Sequence, residues 1–300
     1  MTLLKRFGRR LAAIFAVAAS ACAAAPAAEP AAASPALWKV ADEDTTIYLF
    51  GTIHLLPKDT KWRSPAFDKA AAGSDALVVE TVIDESNPGA TLGELFKLAM
   101  SPGLPPILER VPAEKKGALQ AAITKSAIPL QALDKMETWA AAFMLLGVQF
   151  QSLGLDSGSG VESVLKKQFK DGGKPIDQLE TNAEQLGFFD RLSEDAQRNF
   201  LISVLDDPGA MKDQFGGMLD AWTRGDVKAI GDSFNRDLAE ATELKEALLV
   251  KRNANWANWV KSRLDRPGTV LVAVGAGHLA GDQSVQAMLE HQGVQVTRVQ

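Results

Sequence analysis

The chain has 300 residues, 46% of them apolar, and a formal net charge of −5; its pI is near 5.4. That apolar content is ordinary for a globular protein, and the acidic balance argues against a nucleic-acid partner. A single cysteine excludes an internal disulfide and a thiolate cage, so any metal must be held by His, Asp and Glu, a donor set suited to Mn, Co, Fe or Zn.

In chain order, Lys5, Arg6, Arg9 and Arg10 precede an apolar stretch over 11–19 and small residues through 28. These are the n, h and c regions of a secretory signal over 1–28, and the stretch is too short to remain as a membrane span. The expected location is therefore the periplasm or cell envelope. Ala19-Ser20-Ala21-Cys22 resembles a lipoprotein processing box, with Ala19 where Leu is usual, so a lipid anchor at Cys22 is the alternative to ordinary export. Residues 29–36 are Ala/Pro-rich and read as a tether. The folded domain is expected over 37–300.

Residues 37–40 and 46–50 read as a hairpin turned by Asp42-Glu43-Asp44. Ser64-Pro65 places an N-cap before a proline at the first helical position and predicts a short helix through Ala72. Leu77-Val78-Val79-Glu80 reads as a buried strand, and strand, helix and strand together make a βαβ unit with parallel strands. His54 and Glu80 are then expected at the same end of the sheet. From about 91 to 262 apolar residues recur at helical spacing, over 91–100, 112–125, 135–153, 160–171, 181–187, 193–205, 208–222, 226–233 and 236–262. Residues 269–274 read as a β-branched strand, 284–292 as a helix and 294–299 as an alternating strand. The predicted fold class is α/β: one sheet built from βαβ units at both ends of the chain, carrying a large central helical insertion or lid.

Two of the three histidines share one local frame, Gly51-Thr52-Ile53-His54 and Gly275-Ala276-Gly277-His278, each after an apolar β-type run. A tight glycine turn at the end of a buried strand leaves the imidazole at the rim of the sheet, where ligands bind in open α/β folds. The third, His291, precedes Gly293 in the last turn of the predicted final helix, where it suits the helix dipole better than ligation.

An ordered set of segments resembles the TraB/GumN family: Tyr48 through His54, Leu77 through Glu80, Gly160-Val161-Glu162, Leu179 through Leu186, Arg252-Asn253 and Val274 through His278. The set spans nearly the whole mature chain and is specific as a set, weak piece by piece. The resemblance implies an α/β fold related to the Tiki metalloproteases and, more distantly, to erythromycin esterases and ChaN-like haem-binding lipoproteins. It implies a metal-dependent protease site in which His54, His278 and Glu80 are the matching positions. Glu162 departs from the Asp expected in its segment.

The chemistry can be weighed apart from the resemblance. Two neutral imidazoles and a carboxylate can hold a divalent ion with positions open, lowering the pKa of a bound water toward neutrality. Glu180 is the candidate general base, and Arg252 a candidate for a substrate carboxylate or oxyanion. Asn253 is a candidate for orienting either, with Glu162 beside it in a supporting role. Each has a structural counterpart: the histidines capping loop carbonyls, Glu80 pairing with Arg252, and Glu180-Thr181 acting only as helix-capping chemistry.

Other solutions fail on motif. Gly158-Ser159-Gly160 is not a nucleophile elbow, and no His-Glu-x-x-His helix is present. Trp256 and Trp259 at helical spacing read as core. The leading expectation is an exported metal-dependent hydrolase, a peptidase among the options, acting on a peptide or small-molecule substrate. The alternatives are a non-catalytic haem, metal or small-ligand binding protein, and an accessory protein of envelope polysaccharide or surface-peptide handling.

Overall fold

The structure, a computed structural model, describes residues 33–82, 93, 96–101, 103–205, 208–238 and 241–300. The expected signal segment with Cys22, residues 29–32 of the tether and residues 91, 92, 94 and 95 of the predicted helix over 91–100 lie outside the described residues. The hairpin forms from β1 (Leu37–Ala41) and β2 (Thr45–Thr52), antiparallel, with Leu37 opposite Phe50. Asp42 Oδ1 closes its turn by accepting from Thr45 N–H at 2.8 Å. A two-residue strand β3 (Leu56–Pro57) follows, then α1 (Pro65–Gly73) and β4 (Ala76–Val79). Ser64 caps α1 by accepting from Phe67 N–H, a contact worth about 1 kcal/mol.

The central region comprises α2 (Lys116–Ser126), α3 (Leu130–Asp134), α4 (Thr138–Ser152), β5 (Leu155–Asp156), α5 (Val161–Asp171), β6 (Ile176–Gln178), α6 (Asn182–Asp190), α7 (Glu194–Ser203), α8 (Pro208–Thr223), α9 (Val227–Asp237), α10 (Thr242–Lys245) and α11 (Lys251–Arg263). A π turn, Glu246–Val250, joins α10 to α11 with helical dihedrals at both junctions. Such wide turns inside helices often accompany functional sites. The chain ends with β7 (Gly268–Gly275), α12 (Val285–His291) and β8 (Val296–Arg298). No helix among the described residues is long and apolar enough to cross a membrane.

The main sheet has six strands in the order β6-β4-β7-β2-β1-β8. Both ends of the chain build it, and β7 lies parallel between β2 and β4, pairing Thr52 with Gly275 and Val79 with Ala273. The βαβ unit therefore has a gap in it, which the C-terminal strand fills. The central region is not purely helical: β6 extends the sheet beside β4, and β5 pairs with β3. Strands of two or three residues are too short for a period-2 pattern to register.

Side chains alternate across the strands. Ile47, Leu49, Val270 and Val272 pack against Trp256, Ala257 and Val260 of α11 and Leu289 of α12. On the other face Phe50, Leu77, Leu271 and Ala273 meet Phe67 of α1, Phe169 of α5 and Trp222 of α8. Each of the buried Val, Leu, Ile and Phe side chains contributes about 1.5–3 kcal/mol. The helices α2, α3, α4 and α7 enclose a separate core around Leu119, Leu133, Leu145 and Leu201. At the N-terminal edge Ser34 N–H donates to Thr223 O at 2.8 Å and Ala36 is buried.

Candidate functional site

The parallel strands β2, β7 and β4 finish at a common edge, the carboxyl edge of the sheet. β4 stops at Val79, so Glu80 is the next residue; β2 stops at Thr52, two short of His54; β7 stops at Gly275, and a 3-10 turn, Ala276–Leu279, carries His278. Gly275 N–H donates to Glu80 Oε1 at 2.8 Å. His54 Nε2 and His278 Nε2 each stand 3.9 Å from that same oxygen. The two Gly-x-x-His turns thus converge on one carboxylate.

Glu162, at the start of α5, approaches from the other side. Its Oε1 lies 2.8 Å from His54 Nδ1 and accepts from Thr52 Oγ1, while its Oε2 is buried with no hydrogen-bond partner. The backbone sets this meeting. Val161 N–H donates to Ile53 O at 3.1 Å, and a Cβ on Gly160 would fall 1.9 Å from His54 O. No other residue lets α5 begin so close to the histidine turn.

Arg252, on α11 two residues past the π turn, is buried with Glu80 and Glu180. Its Nε donates to both Glu180 oxygens at 3.0 Å, and Nη2 donates to Glu180 Oε2 at 2.9 Å and Glu80 Oε2 at 2.6 Å. Its Nη1 meets Leu248 O at 3.3 Å and His278 Nε2 at 3.1 Å. A guanidinium has five N–H donors, and all five are engaged, so none remains for a substrate carboxylate or oxyanion. Glu180 likewise takes Trp256 Nε1–H at 3.0 Å in addition to the arginine. Its position follows from the ladder between β4 and β6, which continues as Glu180 N–H donating to Glu80 O at 3.0 Å. The geometry makes Glu180 the anchor of Arg252. The capping of α6 is done by Thr181 with Glu184, without Glu180.

His278 is held at both nitrogens. Arg252 can only donate, so His278 Nε2 accepts, and Nδ1–H donates to Asn253 Oδ1 at 2.6 Å. The Trp256 ring lies against it with centroids 4.4 Å apart. Burial keeps this ring neutral, lowering its pKa to about 3. Burial of Glu80 opposes its charge, but His278, Arg252, His54 and the Gly275 amide outweigh that and hold its carboxyl at about 2. His54 differs: 61% of its side-chain surface is open. Desolvation by neighbouring protein opposes its charged form, yet the Glu162 carboxylate, with Glu80 behind it, raises its pKa to about 9.

Among the described residues, His54, Glu80 and Glu162 present donor atoms all within 4.8 Å of one another, a group that can hold a metal ion. Two features fit an ion there. The buried Glu162 Oε2 has an unused acceptor, and Gly275 keeps the central space open: a Cβ there would stand 3.3 Å from both Glu80 Oε1 and His54 Nε2. Ligands about 2.0–2.2 Å from one ion can be no more than about 4.4 Å apart, and His54 Nε2 and Glu80 Oε1 satisfy this. His278 reaches Glu80 at the same distance, with its Nε2 lone pair directed at Arg252, and Glu162 completes the donor group.

Thr52 and Gln185 are partners the sequence reading did not assign. Gln185 Nε2 donates to Glu80 Oε2 at 2.9 Å. Thr52 shared the face of His54 by simple alternation along an extended chain, a legible signal. Asn253 does orient a neighbour, and that neighbour is His278.

A family model described as the TraB/PrgY/gumN family matches residues 36–298, and the chain belongs to that family. It is also similar to the protein named Uncharacterized protein YbaP of Escherichia coli (strain K12), 26% identical over 251 residues that cover 81% of this chain and 87% of that protein. The protein of the same name in Shigella flexneri matches to the same extent. No solved structure matches the chain.

Proposed function

We propose that this member of the TraB/PrgY/gumN family is a metal-dependent hydrolase of peptides or small molecules. The observation that carries the reading is the donor group His54, Glu80 and Glu162, open over Gly275 at the carboxyl edge of the sheet. A divalent ion, Mn, Co, Fe or Zn, would supply Lewis acidity toward a carbonyl and make water nucleophilic near neutral pH. The chain's own residues have separable tasks. Glu162 Oε1 fixes the orientation of the His54 ring, and its unpartnered Oε2 is the oxygen that would be left to face a bound ion. Arg252 and Glu180 hold Glu80 in place, and Arg252 with Asn253 sets the His278 tautomer. The basic and apolar N-terminal stretch supports an exported, envelope-side setting for this chemistry, with Cys22 as the alternative anchor point.

A second reading, binding without turnover, draws on the full engagement of Arg252, which leaves no guanidinium donor for a developing oxyanion. Metal titration of the purified protein with Mn, Co, Fe and Zn, alongside a peptide and ester library, separates these. The hydrolase reading expects metal-dependent turnover abolished by His54→Ala and by Glu80→Gln. It fails if no metal binds, or if His54→Ala leaves affinity unchanged. Stoichiometric metal binding with no cleavage across the library favours the second reading.

A further inference from the structure

We propose that the cavity beside His54 is the subsite for a bulky apolar side chain, aliphatic or aromatic, adjoining the bond that is cut; this rests on the hydrolase reading above. The cavity has a volume of about 300 Å³. Its walls come from five separate pieces of the central region: Phe150 at the end of α4, Leu155 of β5, Phe215 and Met218 of α8, Phe234 of α9 and Leu249 of the π turn. Its inner end is closed by Gly275, His54 and His278. The helical region therefore supplies the wall and the sheet edge supplies the chemistry.

Two properties select the occupant. Among the described residues no Asp, Glu, Lys or Arg lines the cavity, and the titratable groups there are the two site histidines. A charged side chain entering it would lose its hydration with no partner in return, whereas an apolar one gains by leaving water. The volume lies at the lower end of the range for small-molecule pockets, roughly 300–1,000 Å³, enough for one side chain and not for a folded peptide. With that side chain inserted, the adjoining carbonyl lies at the His54 end. Hydrolysis there adds one water: a C–O bond forms at the carbonyl, its bond to the leaving nitrogen or oxygen breaks, and the leaving group takes up a proton.

A neighbouring cavity of about 270 Å³ shows that this apolar lining is not general to the region. It shares Phe234, Leu249 and Gly277 with the first, yet its other side carries Asn235, Lys245 and Asp282. The Phe234 ring stands over Gly277, where an added Cβ would come 2.7 Å from Cζ. Phe234 is the partition that keeps the charged groups out of the chamber next to His54.

The test uses Met218 as a reporter that needs no turnover. Methionine-methyl NMR of the folded chain, with the Met218 signal assigned by Met218→Leu, is titrated with the N-acetyl amides of phenylalanine, leucine, glycine and aspartate. Saturable shifts are expected for phenylalanine and leucine, with affinity roughly tenfold to a hundredfold above that of the glycine amide. Phe215→Ala should weaken the phenylalanine amide, and Leu249→Trp, which fills the chamber and keeps the Met218 reporter, should exclude it. Equal affinity for glycine and phenylalanine, preference for aspartate, or a Met218 signal that never moves overturns the proposal. A parallel peptide-library digest keeps the two readings apart. Selective Met218 shifts without cleavage leave the subsite standing and remove the hydrolase. Cleavage indifferent to apolar residues removes the subsite and leaves the hydrolase.

Discussion

Asn253 Oδ1 lies 2.6 Å from His278 Nδ1, and Arg252, its neighbour in sequence, meets the opposite nitrogen of the same ring at 3.1 Å. Consecutive residues of one helix thus dictate the proton position of a histidine on another chain segment. In the wild type, ¹⁵N spectra should show a single tautomer with hydrogen on Nδ1. Asn253→Ala leaves Arg252 facing Nε2, so the tautomer should hold while the ring loses its anchor at Nδ1, and activity or metal affinity should fall about 10–100-fold, the usual cost of losing a group that orients a site histidine. A switch to the Nε2–H tautomer in the variant would contradict this.

Arg252 neutralises two buried carboxylates at once. Arg252→Met removes the cation and leaves Glu80 and Glu180 stranded, so unfolding free energy should fall by about 3–5 kcal/mol. Denaturant titration measures it. The double variant Arg252→Met/Glu180→Gln should recover part of the loss, because one of the stranded charges is gone; no recovery would mean that the arginine acts mainly through packing on Trp256.

The site titrates at both ends of the pH scale. His54 has a folded pKa of about 9 against an ordinary 6.5, so its stabilising contribution is complete below 6.5 and is lost as pH rises through 9. Glu80, at about 2 against 4.5, contributes fully above 4.5 and loses that contribution as pH falls toward 2. Protons compete with metal for His54, so metal affinity should climb about tenfold per pH unit until pH 9 and then level off. Glu162→Gln should move the His54 inflection to lower pH, read directly by imidazole NMR in metal-free protein. An inflection near 6.5 in the unsubstituted protein would show that Glu162 does not govern this ring.

Gly275→Ala is the cleanest probe of the open space. The added methyl would crowd Glu80 Oε1 and His54 Nε2 at 3.3 Å without demanding an unusual backbone. The melting temperature should change little, while metal affinity falls by about tenfold or more, the order seen when groups that orient a ligand are disturbed. Loss of the fold itself would instead assign Gly275 a packing role.

Gly160→Ala should do the opposite and damage the fold first. Its Cβ would overlap His54 O, forcing α5 away from the β2 turn and breaking the contact between Val161 N–H and Ile53 O. Circular dichroism melting should show a clear loss, and the His54 pKa should drop toward its ordinary value as Glu162 withdraws.

The sheet and the meeting of His54, His278 and Glu80 were legible because each residue follows a buried strand whose apolar run and glycine turn are local signals. The position of β7 between β2 and β4 was not, since strand order depends on which crossovers pack and leaves no mark in the pattern. β6 escaped because three residues carry too little alternation. The pairing of Glu80 with Arg252 was expected and forms, but the partners of Glu162 and Glu180 were illegible for another reason. A carboxylate is a base or an anchor according to how many donors surround it, and those donors come from segments such as 252 and 256, far along the chain from 180.

The placement of β7 carries a temporal consequence. Its Gly275 amide meets a carboxylate 195 positions earlier, and the strand occupies the middle of the sheet, with β2 on one side and β4 on the other. Contacts of such long range are closed late and slowly. Every fragment that stops short of residue 268 lacks the strand that joins β2 to β4, so His54, Glu80 and His278 meet at the sheet edge only once β7 has taken its place.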